Sequence, residues 1–208
     1  SGTLYALRPG QLVLFDGRIV NRDIVDWGAL PSPNTRDMLA FGSKLFVATD
    51  KGLGVLRGAA LTKLDGDDGL PYENTTCLAP GFDGDVWIGT TQGAIRMIGD
   101  GWHFFGAFHW LPGNQVNDII VDGKNVYIAT DAGIGIIHYQ PYTLAKKAAY
   151  YERQLEEWGQ KRLGFIHTLY KAGSSNEWIR EISDNDGGHT APYLAAMCYK
   201  YAVTGDES

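Results

Sequence analysis

A mainly β fold, about three propeller-type blades followed by a β-hairpin and two α-helices, is predicted by three observations in this 208-residue sequence. Anchor residues recur at a spacing of about 40 residues, the length of one four-stranded blade. Glycine is frequent at 27 residues and aromatics make up 12% of the chain, a composition suited to short strands and tight turns. After Gln140-Pro141 the apolar residues change from alternation to helical spacing. The expected division is therefore 1–140, the blades, and 141–208, a helix–hairpin–helix segment.

The repeats begin near 34, 74 and 114. Asn34, Asn74 and Asn114 form one set of anchors; Thr49, Thr90 and Thr130 form a second, and Gly52, Gly93 and Gly133 a third. In 45–48, 86–89 and 126–129 an aromatic residue (Phe46, Trp87, Tyr127) is followed by a β-branched one and then a small one. That pattern predicts a strand buried on both faces, with the small residue where blades crowd toward the centre. The next four residues of each copy, 49–52, 90–93 and 130–133, read as hairpin turns. Their glycine supplies a positive φ, and Asp or Thr bonds the local backbone. Asp83-Gly84 and Asp122-Gly123 make the preceding turn, and an outer strand such as 101–105 completes the blade.

The ends of this region are incomplete. Residues 4–7 and 12–15 read as the last two strands of a blade, and 134–138 as the third strand of a final blade with no fourth. Propellers generally close with about four to eight blades, and an open fan exposes strand edges. The expected partners are the remaining blades and helices of a longer chain, with self-association as the alternative.

These residues resemble the two-component-regulator propeller repeat, whose unit joins a Gly-Leu-Pro/Ser-x-Asn stretch to an Asp-Gly-x-x-Trp-Ile-Gly-Thr-x-x-Gly core. The second copy matches best, with Gly69-Leu70-Pro71 leading to Asn74 and the core running from Asp83 to Gly93. The other copies depart at the tryptophan, and the resemblance covers about the first 140 residues. It implies a sensory or interaction propeller.

In the last third, Leu144, Ala148, Tyr151, Leu155 and Trp158 fall at helical spacing, with Thr143 as N-cap and an end near Gly159. Residues 164–171 and 177–182 alternate as a hairpin. A second helix is expected to start at Thr190 or Ala191 with Pro192 in its first turn, to bury Leu194, Met197, Cys198 and Tyr201, and to end at Gly205. This order resembles the opening of an α/α toroid, a ring of helical hairpins of which many members cleave polysaccharides. The resemblance implies that the loop before the second helix lines a cleft.

That loop, 183–189, holds the candidate catalytic residues Asp184, Asp186 and His189. Two carboxylates and an imidazole so close could supply a general acid and base, or metal ligands; the other reading is a Gly-rich turn that caps a helix. The calcium-loop pattern is incomplete, so no metal is assigned. Trp102, His109 and Trp110 are candidate substrate-binding residues, since aromatics with polar tips suit sugar rings, although blade packing would also explain Trp102. Asp50, Thr91 and Asp131 occupy equivalent turns, where they serve the turn or face a ligand. His138 and His167 read as structural, and Cys77 and Cys198 as two separate thiols.

A net charge of −6 and a pI near 5.3 argue against nucleic acid or an anionic membrane as partner. No apolar run approaches the roughly 18 residues of a membrane span, so no membrane insertion is expected. Walker, Rossmann, zinc and nucleophile-elbow motifs are missing, and no cofactor is expected. The combined reading is an extracytoplasmic, carbohydrate-related protein with a glycan ligand. The alternative is a non-catalytic sensor or interaction module.

Overall fold

The computed structural model describes residues 4–8, 11–15, 19–23, 30–58, 60–107, 109–171, 173 and 177–206. The chain divides into two compact units, Ser1–Gln140 and Pro141–Ser208.

The first unit is a series of antiparallel meanders. A three-stranded sheet comes first: β1 (Leu4–Arg8), β2 (Gln11–Phe15) and β3 (Ile19–Asp23). Blade 1 follows with β4 (Thr35–Phe41), β5 (Lys44–Thr49), β6 (Gly52–Arg57) and β7 (Ala60–Leu64). Blade 2 holds β8 (Thr75–Pro80), β9 (Val86–Thr90), β10 (Gly93–Ile98) and β11 (Gly101–Phe105). Blade 3 has, among the described residues, β12 (Val116–Asp122), β13 (Asn125–Thr130) and β14 (Gly133–His138). β4 neighbours β8, and β8 neighbours β12, so the first strands of successive blades stand side by side. The first sheet has one strand more than its sequence suggests. Ile19–Asp23 ends in Asn21-Arg22-Asp23, without apolar alternation, and joins β2 through a register shift.

The threonine anchors hold the hairpins. The hydroxyls of Thr49, Thr90 and Thr130 donate to the carbonyls of Gly52, Gly93 and Gly133 at 2.8, 2.7 and 2.8 Å. Each also accepts an N–H from inside the turn, that of Lys51, Gln92 or Ala132. The glycines sit at φ of 110°, 123° and 138°, which a side chain rarely adopts. The asparagine anchors do not align in the third copy. Thr35, Thr75 and Val116 occupy one register position opposite Thr49, Thr90 and Thr130, which makes Gln115 the counterpart of Asn34 and Asn74. Asn114 instead accepts the N–H of Ala107.

Burial on both faces of the central strands produces two cores between blades. Phe46, Ala48, Leu53 and Val55 of blade 1 pack against Val86, Ile88 and Ile95 of blade 2. On the other face of blade 2, Cys77, Trp87, Ala94 and Phe105 pack against Val116, Ile119, Val126 and Ile128 of blade 3. Gly89 lies where these strands approach most closely; a Cβ there would collide with the Cys77 sulfur and Val116. Burial pushes the Cys77 thiol up to about 11, and Cys198 is an exposed free cysteine. The corresponding face of blade 3 is open, leaving Ile120, Ile134 and Ile136 exposed.

In the second unit, α1 (Leu144–Glu157) is capped by the Thr143 hydroxyl, which accepts from the Lys146 N–H. Two small ladders follow, β15 (Lys161–Arg162) with β16 (Phe165–Ile166), and β17 (Leu169–Lys171) with β18 (Trp178–Arg180). The expected strand over 164–171 is therefore interrupted, and its two parts pair with different partners.

α2 (Asp186–Thr204) starts earlier than expected, which places Pro192 inside the helix rather than in its first turn. Ser183-x-x-Asp186 has capping-box spacing and supplies the start: the Asp186 carboxylate accepts the Ser183 N–H at 3.1 Å, and the Ser183 hydroxyl accepts that of Asn185. The half-buried side of α2 carries Thr190, Tyr193, Met197 and Lys200, whereas Leu194, Cys198 and Tyr201 are exposed. With one other helix and two short ladders in its unit, α2 covers the side that meets β16 and leaves the expected stripe open. Among the described residues no helix is long and apolar enough to cross a membrane.

Candidate functional site

The start of α2 sets Asp186 and His189 against residues 166–168, which adds His167, and leaves Asp184 apart on the preceding turn. Residues 166–168 run beside the first turns of the helix. The Ile166 N–H donates to the Thr190 hydroxyl at 2.9 Å, and that hydroxyl donates to the Asp186 carbonyl at 2.6 Å. His167 Nδ1 lies 2.9 Å from Asp186 Oδ2. His189 Nε2 lies 3.2 Å from the Thr168 hydroxyl. One histidine thus stands on the 166–168 segment and the other on the helix, each held by a partner from the opposite element.

His167 and Asp186 are 7% and 8% exposed. With Asp186 ionised and His167 neutral, Nδ1–H is the donor and the imidazole lone pair lies on Nε2. Asp186 Oδ1 is buried without a hydrogen-bond partner. The acid therefore has spare accepting capacity beside a histidine whose tautomer it sets. Asp184 is exposed on the turn before the helix, and His189 is exposed on its first turn. His167 had no spacing signal to reveal it, because its partner lies 19 residues away, beyond the ladder of β17 and β18. No group of three or more His, Cys, Asp or Glu side chains that could hold a metal ion occurs among the described residues.

Of the aromatic candidates Trp102 packs on an inter-blade core, whereas Trp110 and His109 are exposed. Trp102 and Phe105 lie on opposite faces of β11, being an odd number of residues apart. Trp102 packs on the core between blades 1 and 2. Trp110 meets Phe105 edge-on at 5.3 Å, and Phe105 belongs to the core between blades 2 and 3. His109 is exposed on the turn before Trp110.

The turn candidates bond locally. Asp50 Oδ2 accepts from the Asn34 amide at 2.8 Å, and hydrogen bonds from Ser32 and then Asn34 hold its carboxyl below the ordinary value. The backbone N–H groups of Thr91 and Asp131 donate to Asn74 and Gln115. His138 Nδ1 stands 2.6 Å from Asn125 Oδ1 on blade 3.

Tandem propeller blades joined to a helical unit define the class of this chain. Among solved structures it is similar to the extracellular domain assigned to the hybrid two component system BT3049 of B. thetaiotaomicron. The TM-score is 0.52 at 16% identity, over 62% of this chain and 20% of that one. It is also similar to the extracellular domain assigned to the one component system BT4673 of the same organism. There the TM-score is 0.54 at 20% identity, over 67% of this chain and 21% of the other. The likeness shows the fold, and the chain spans about a fifth of the length of those structures. No family model matches the chain, and no curated protein matches it.

Proposed function

We propose that this chain belongs to an extracytoplasmic protein in which propeller blades form a platform for a helical unit that binds and cleaves glycans. The observation that carries the reading is the buried His167–Asp186 pair at the start of α2, with Asp186 Oδ1 unpartnered. Glycan cleavage, by hydrolysis or elimination, needs a group that takes a proton and one that gives it back. His167 takes the proton through Nε2, and the imidazolium so formed returns it to the leaving oxygen. Asp186 holds the imidazole in that tautomer and stabilises the imidazolium once it forms. Asp184 and His189, exposed nearby in sequence, contact the substrate. The resemblance of the helical order to a toroid supports a glycan as that substrate. The two extracellular structural neighbours support the compartment.

The test uses the natural polypeptide and a panel of neutral and acidic polysaccharides, with new chain ends as the readout. Asp186→Asn and His167→Gln should each lower turnover by about 10²–10⁴-fold, with helix content by circular dichroism unchanged. Unaltered binding and turnover in Asp186→Asn would remove the catalytic part of the proposal. A second reading, a non-catalytic sensory propeller, is favoured by the systems to which the two neighbours are assigned. Saturable glycan binding without product would put that reading first.

A further inference from the structure

A groove of about 460 Å³ runs between blades 1 and 2 at the outer ends of their strands. Phe46, Val55, Met97 and Trp102 line its apolar part, and Lys44 and Arg57 stand on the blade 1 side. Lys44 and Arg57 are directly opposite one another across β5 and β6. Like charges directly opposite one another repel, and a fold carries such a pair at a cost in stability. Among the described residues neither cation has a carboxylate partner.

The repeat sharpens this observation. Lys44, Asp85 and Asn125 occupy the same place in the three copies, one residue before the buried Leu45, Val86 and Val126. In blade 2 the group is answered: Asp85 accepts from Arg96 at 2.5 Å. In blade 3 it is answered too, since Asn125 bonds His138, its directly opposed residue. Only in blade 1 does the position hold a cation facing a second cation. The partner that the protein supplies in the other copies is missing there.

The groove offers two further features that suit a ring-bearing ligand. Trp102 is half-buried, and its indole N–H makes no hydrogen bond among the described residues. Asp100, on the turn before β11, is exposed and accepts no bond among the described residues, which leaves its carboxylate for hydroxyl groups. Asp68 is already occupied, accepting the Asp65 N–H at 3.2 Å in a capping box. A larger cavity, about 660 Å³ on α2, differs on this point: its Lys161 and Lys200 are paired with Glu156 and Glu152.

We infer that the groove between blades 1 and 2 binds an acidic saccharide, its carboxylate held by Lys44 and Arg57 and its ring against Trp102. The inference rests on the glycan reading above and names the class of glycan; it places binding on the blades, apart from the chemistry of α2. A saccharide carboxylate accepts charge-assisted hydrogen bonds from both cations and removes their repulsion.

The test compares trigalacturonate with a neutral trisaccharide, cellotriose, by calorimetric titration of the purified protein. Trigalacturonate should bind saturably, more weakly at high salt, and Lys44→Gln or Arg57→Gln should weaken it by about tenfold each. Both residues are exposed and each substitution removes the repulsion between them, so the variants should melt at or slightly above the wild-type temperature. Trp102→Phe, which keeps the core filled, should weaken binding while preserving the fold. Trigalacturonate binding that is indifferent to Lys44→Gln and Arg57→Gln would overturn the inference. Tight cellotriose binding without trigalacturonate binding would also overturn it and leave the glycan reading standing. Binding of neither, together with no turnover of any polysaccharide, would remove both.

Discussion

Asp85 is fully buried, and three donors converge on its carboxylate. The Trp87 indole N–H donates at 3.0 Å, Arg96 Nε at 2.5 Å and the Asp83 N–H at 2.8 Å. The Arg96 guanidinium in turn stacks over Tyr139, 4.5 Å from its ring centre. Burial opposes the charge on Asp85, yet the hydrogen bond from Arg96 and those from the backbone outweigh it, and the carboxyl is held below its ordinary 3.8. A depressed folded-state value means that this stabilisation is present in full above pH 3.8 and is lost as pH falls through the lower value. Asp85→Asn should therefore destabilise the chain at pH 7 by about 2–4 kcal/mol, since it leaves the buried Arg96 with only the exposed Asp83 carboxylate, 3.7 Å away, as counter-charge. It should also flatten the loss of stability below pH 4, which thermal melts from pH 2 to 7 would measure. An acid limb as steep as in the wild type would show that other carboxylates set it. Of this network only the hairpin and the Trp87 strand were read from the sequence, and the Asp85–Arg96 pair was not. The two-residue turn 91–92 fixes Trp87 opposite Arg96, and Asp85 shares the face of Trp87. The sequence hid Tyr139 as well, because the ring arrives from the end of the next repeat.

At the scale of the element, the same hairpin occurs three times in different surroundings, so its hydroxyl can be compared with itself. Thr90 is completely buried, whereas Thr130 is half-buried beside the open face of blade 3. Thr90→Val leaves the Gly93 carbonyl and the Gln92 N–H without their partner. The expected cost is about 1–3 kcal/mol in denaturant unfolding. Thr130→Val should cost less, about 0.5–1 kcal/mol, because water reaches the abandoned groups. Equal losses would mean that the hydroxyl acts through strand propensity and not through burial. The turns were readable because Thr, a short loop and Gly lie within four residues. The start of α2 was less so. Pro192 drew the expected start toward itself, while Ser183-x-x-Asp186 carried the true signal. The register of blade 3 failed for a similar reason: Asn114 and Gln115 both fit the pattern, and pairing with Thr130 decides between them.

Across the whole molecule, stability is unevenly distributed. β5 has five of its six residues buried and β9 all five, each strand lying between neighbours in its own sheet. α1 has no buried residue, and α2 buries only Asp186. The sequence announced both helices through their period, but a period says which residues share a side and not which side finds a cover. Leu144, Trp158, Leu194 and Tyr201 are accordingly exposed. Amide exchange should follow this distribution. Amides of β5 and β9 open only with the blades themselves and should exchange slowest. Those of α1 have intrahelical bonds but little tertiary burial to hold them, and a helix of 14 residues is marginal by itself in water. They should exchange orders of magnitude faster, by local opening. α2 should divide, with its first turns, tied to residues 166–168 by His167, Thr168 and Thr190, outlasting the turns near Thr204. Protection of α1 equal to that of β9 would show that its apolar side is covered in solution. The residues to examine for that contact would then be Leu144, Tyr151 and Trp158.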